Sequence, residues 1–166
     1  MKIKDIALIG IMSAILVAVQ VALGFLPNIE LVSLLIIIYT LVFGRKALYI
    51  IYVFVVVEGI IYGIGLWWIN YLYIWAILFV IATLLRKQHS PVIWAIVSGF
   101  YGLAFGALCA IPNLFISGVG SAVSYWLAGI PYDILHGVGN FVVALLLFYP
   151  LYQVINSINK RTVNMR

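Results

Sequence analysis

Asp133, His136 and Asn140 fall close to one face of a helix over two turns, with Gly137 and Gly139 beside them. An Asp-x-x-His pair can bind a metal or move a proton, but two ligands are too few for a protein metal site, and no further Cys or His is placed to complete one. Two readings stay open: a structural hydrogen-bond network, or a polar stripe facing a ligand. Asp133 is expected near a water boundary, where ionisation costs little. Glu58 lies about 18 Å beyond Lys46 at the helical rise, inside an apolar run, with Tyr62 one turn further along the same face. A carboxylate there is protonated or needs a donor, and Gln20, His136, a tyrosine or a cationic or hydroxyl-bearing ligand are the candidates. The run from Trp67 to Trp75 is the densest aromatic stretch and contributes Trp67, Trp68, Asn70 and Tyr71. Such residues form belts at membrane interfaces and also wall small-molecule pockets. Asn113, after Pro112, completes the polar set.

The elements that must position these groups are set by composition. At 67% hydrophobic and 8% charged, the chain is far from the roughly 25% charged residues of soluble domains. All nine Lys and Arg fall in four clusters: Lys2 and Lys4; Arg45 and Lys46; Arg86 and Lys87; Lys160, Arg161 and Arg166. Each apolar interval between clusters is long enough to cross a bilayer and return, so the clusters mark the cytoplasmic side. The net charge of +5 is thus a topology signal rather than a nucleic-acid surface. One cysteine, Cys109, excludes an internal disulfide and a cysteine metal cluster. The first apolar stretch lacks a small-residue cleavage site and is read as a span.

The reading is an all-α integral membrane protein: six transmembrane helices, both termini cytoplasmic, residues 1–166 forming one domain. The spans are expected near 6–26, 30–43, 47–62, 70–85, 92–115 and 131–155. Span two is short, and either sits deep in the bundle or ends below the surface. The outer connections are 27–30, 63–70 and 116–130, the last a Gly- and Ser-rich segment read as a loop with room for a small helical piece, and none contains a Lys or Arg. Glu30, Glu58 and Asp133 lie toward the outer side or within spans.

Gly10, Ala14, Ala18 and Ala22 recur every fourth residue of span one and form a smooth ridge that lets another helix approach closely. That partner is either another span of this chain or a separate protein. Ser13 and Gln20 lie on a different face, so Gln20 presents its amide to something polar. Gly59 with Gly63, and Gly102 with Gly106, read as helix-packing contacts. There is no phosphate-binding Gly-x-x-x-x-Gly-Lys-Ser/Thr loop, no His-Glu-x-x-His and no Gly-x-Ser-x-Gly. An outward-facing binding protein that needs a partner is the economical reading.

With Ala14-Ile15-Leu16-Val17-Ala18 on the first helix, the chain resembles the S components of energy-coupling factor transporters over its whole length. The segments 27–30 and 129–136 are also similar to stretches seen in such proteins. The resemblance implies a non-enzymatic subunit of a bacterial-type cell membrane that binds a vitamin-class micronutrient at its outer face. It implies docking through Ala14 and Ala18 on a T component carrying two cytosolic ATPase subunits, with toppling in the bilayer. No cofactor, metal or nucleic acid is expected. The acids favour a ligand with hydrogen-bond donors or positive charge, and the aromatics favour a ring. The alternatives are an integral membrane enzyme acting on a lipid through Asp133 and His136, or a non-catalytic membrane assembly factor.

Overall fold

The computed structural model describes residues 3–164, with side chains through 161; Lys2 and Arg166 lie outside them. The described chain is all helix and connection: α1 (Ile3–Leu23), α2 (Val32–Phe43), α3 (Lys46–Tyr62), α4 (Leu66–Leu84), α5 (Pro91–Cys109) and α6 (Ile111–Asn164). Four of them, α1, α4, α5 and α6, are long and apolar enough to cross a membrane.

The α2 sequence is apolar on every side, and residues 32–40 are buried without a gap. A helix of that pattern belongs at the centre of a bundle, and α2 packs against α1, α3, α4 and α6. Its 12 residues span only about 18 Å, against about 31 Å for the 21 residues of α1. The shortfall leaves a hollow above the start of α2, filled by the connection 24–31. Within it, the Ile29 amide donates to the Leu26 carbonyl, and Asn28 takes a positive φ of 59°. Pro27 followed by Asn28 supplies the type II turn this geometry needs, and the turn delivers Glu30 to the head of α2.

The opposite end gathers the described basic residues. Lys46 pairs with Asp5 at 2.7 Å, joining the starts of α1 and α3. The Asn159 amide donates to the Val42 carbonyl, tying the end of α6 to that of α2. Ser13 Oγ bonds the Ile50 carbonyl at 2.9 Å and locks α1 against α3.

Three boundaries differ from the sequence expectation. The connection 63–70 shrinks to three residues, because Gly63 turns at φ 82° and Leu66 already begins α4. The indole nitrogen of Trp68 then donates to the Val55 carbonyl at 2.9 Å, and its ring lies where a Cβ on Gly59 would stand. Gly59 is therefore a packing contact and Gly63 is a turn. The expected loop over 116–130 is helical as well: only Gly118, at φ 81° and ψ 176°, leaves the helix. Ser and Gly weaken helices in water but are ordinary in apolar bundles, where no solvent competes for the backbone. The chain reverses at Gly118, and the arm 119–164, roughly 70 Å of helix, packs part of its length against the roughly 28 Å of α5. The expected span 92–115 is interrupted at Ala110. Pro112 has no amide hydrogen to offer the Leu108 carbonyl, which instead accepts the Tyr73 hydroxyl at 2.6 Å.

The seam between α5 and α6 is built from glycines. A Cβ on Gly102 would meet the His136 carbonyl at 2.8 Å and the Gly137 backbone at 2.9 Å. Gly99 and Gly137 face each other across the same seam. Close backbone approach of this kind replaces side-chain interdigitation with extended van der Waals contact.

Candidate functional site

Two adjoining cavities of about 210 Å³ each share Tyr71 and Phe105 as walls. The first is polar: Gln20 from α1, Asn28 and Glu30 from the connection, and Tyr71 and Trp75 from α4 line it. The second is lined by Trp67, Asn70, Tyr71, Cys109, Asn113 and Tyr125, among others. Pro112 also lines it, so the proline that interrupts α5 also shapes this wall.

Residues 67, 71 and 75 stand one helical turn apart, and their rings meet edge to face at 5.3 Å in both steps. Phe105 continues the wall, 5.9 Å from Trp75 and 4.8 Å from the His136 ring. Tyr71 also accepts a bond from the Gln20 amide at 3.3 Å. The indole nitrogen of Trp75 is buried with no partner among the described residues.

Glu30 is the carboxylate of this site. One oxygen accepts the Ser33 amide at 2.8 Å, capping the first turn of α2, and the other lies 3.4 Å from His136 Nε2. Burial disfavours the charged form, but the His136 and Ser33 contacts outweigh it and hold the carboxyl below its ordinary value.

Of the residues singled out in the sequence, Gln20, Trp67, Asn70, Tyr71 and Asn113 line the cavities. Asp133, His136 and Asn140 are buried together on one face of α6, but they line neither. They are also directed apart. Asp133, only 7% exposed rather than at a water boundary, accepts the Gly106 amide at 2.8 Å, while His136 faces Glu30 and Phe105. A Cβ on Gly106 would fall on the Asp133 carboxylate, so Gly106 is what admits it. Among the described residues, no three His, Cys, Asp or Glu side chains converge as a metal site.

Glu58 is buried, but two of its expected partners are engaged elsewhere, His136 with Glu30 and Gln20 with Tyr71, and Glu58 Oε1 has no hydrogen-bond partner among the described residues. Tyr62 does not share its environment, being 56% exposed with its ring edge-on to Trp67. Trp68 is used in the seam between α3 and α4. Sequence reasoning missed Glu30, Trp75 and Phe105 as site residues. The four-residue repeat of aromatics at 67, 71 and 75 was a readable signal for Trp75, and Pro-Asn was one for the turn that inserts Glu30. Phe105 has no such signal.

The ridge of α1 faces outward. Gly10, Ala14, Ala18 and Ala22 are all exposed, while Ile9, Met12, Ser13 and Leu16 face the bundle. A Cβ on Gly10 would meet nothing within 4 Å. Among the described residues, no other helix covers that face. A separate apolar groove of about 260 Å³, between Phe100, Leu103, Val138 and Phe141, has no polar side chain to orient a solute.

No family model, curated protein or solved structure matches this chain.

Proposed function

We propose that this protein is the substrate-binding subunit of an energy-coupling factor type transporter, a six-span protein with both termini cytoplasmic. It takes up a vitamin-class solute from the outer face and hands it on through a T component and two cytosolic ATPases. The observation that carries the reading is the division of labour on α1. One face is a bare ridge of small residues, open to a partner helix, while Gln20 on the same helix lines the polar cavity. A movement or docking of α1 is thereby coupled to the solute. The grouping of the described Lys and Arg away from the cavity supports an outward-facing site.

The experiment is purification of the tagged chain from its own cells in mild detergent, with mass spectrometry of co-purifying subunits and small molecules. A T component and two ATPases are expected with the wild type, and neither with Ala14→Leu, which retains the small molecule. Recovery of the chain without ATPase subunits under every mild condition overturns the reading.

A further inference from the structure

We propose that the solute is an aromatic cation, a flat ring system with a fixed positive charge, held between the Glu30 carboxylate and the Tyr71–Trp75–Phe105 wall. The inference rests on the binding-subunit reading for its biological setting, but it is a property of the cavity. Neither cavity is lined by a Lys, Arg or His, and Glu30 is the single carboxylate in either lining. The described Lys and Arg lie at positions 4, 45, 46, 86, 87, 160 and 161, all at the far end of the bundle. A carboxylate or phosphate on the solute would meet no Lys, Arg or His in the lining and would face Glu30, behind which His136 is already engaged at 3.4 Å. A neutral ring would leave that carboxylate in a half-buried hollow with only His136 and the Ser33 amide facing it.

The wall completes the recognition. Ring faces and edges at 5.3 and 5.9 Å spacing make an aromatic cluster next to the anion, which is the arrangement that attracts a delocalised cation. The unpartnered indole nitrogen of Trp75 asks for an acceptor on the same solute. The cavity beside Glu30, about 210 Å³, is below the roughly 300 Å³ floor of ordinary small-molecule pockets, so it suits one compact ring system.

The test is a charge series on one ring frame: N-methylquinolinium, quinoline and quinoline-2-carboxylate, titrated at neutral pH into the full chain in nanodiscs by calorimetry and tryptophan fluorescence. The cation is expected to bind at least about tenfold tighter than quinoline, with the carboxylate weakest. Glu30→Gln keeps an oxygen for the Ser33 amide and should erase the preference, lowering cation affinity about tenfold while quinoline changes little. Glu30→Asp retains part of it, and the thermal midpoint of each variant reports folding. Equal affinities, tighter binding of the carboxylate, no binding of any member, or a preference surviving in folded Glu30→Gln overturns the proposal. Each of these leaves the transporter reading intact if the ATPases co-purify. Missing ATPases with an intact charge preference would fail that reading alone.

Discussion

Two seams in this molecule use the same sequence grammar and end differently. Gly99, Gly102 and Gly106 of α5, with Gly137 of α6, are consumed inside the chain, backbone against backbone and backbone against carboxylate. Gly10, Ala14, Ala18 and Ala22 of α1 have a similar spacing and smoothness, yet they face outward with open space above Gly10. Small residues three or four apart state that a helix can approach closely, not that one does. What decides is the opposite face. On α1 the bulky residues Ile9, Met12 and Leu16 are used against the bundle, so the ridge is turned away. On α5 the glycine face carries Ser98 and Tyr101 beside it into the interior, so its ridge is turned inward.

The largest expected effect falls on the closed seam. Gly102→Leu forces a side chain into the His136 carbonyl and the Gly137 backbone, neither of which can rotate away. A loss of about 3 kcal/mol or more, or failure to accumulate folded protein, is expected in thermal unfolding in detergent. A wild-type midpoint would show that α5 and α6 are not in contact there.

A smaller effect separates packing from polarity along the same seam. In Gly106→Ala the new methyl meets a side chain, the Asp133 carboxylate, which can swing aside but then forfeits the Gly106 amide bond. About 1–2 kcal/mol is expected. Asp133→Asn in the Gly106→Ala background should then cost little more, since the bond is already gone. Full additivity of the two changes would show that Asp133 and Gly106 act independently.

The same contrast marks how far the sequence could be read. Helices were expected over 6–26, 30–43 and 47–62, and α1, α2 and α3 match those bounds to within a few residues, because each ends at a Gly, a Pro-Asn turn or a basic pair, although of the three only α1 is long and apolar enough to cross a membrane. The short second helix was expected either deep in the bundle or ending below the surface, and the burial of 32–40 shows it is central. The region 116–130 misled because its Gly and Ser content signals a loop in water, whereas its backbone here is satisfied within the two helical pieces of α6 on either side of Gly118. The site was legible as a list of polar and aromatic residues at one end, not as a shape. Nothing in the spacing says that Tyr71 and Phe105 stand between two cavities, or that His136 chooses Glu30 over Glu58. Those facts follow from the turn at 26–29, whose depth is set by the length of α2.

The smallest expected effect is the most discriminating. Ala18→Leu adds three carbons to an exposed position of α1, where lipid or detergent replaces what the alanine touched. The isolated chain should unfold at the wild-type midpoint within about 0.5 kcal/mol, as surface changes usually do. A clear destabilisation would mean the ridge is covered by the chain itself, and the contrast with Gly102→Leu would collapse. An unchanged midpoint joined to loss of partner subunits would place the cost of the new side chain in the assembly alone. Only an interface outside this chain produces that pair of results, because an intramolecular contact cannot be broken without lowering the stability of the fold that contains it.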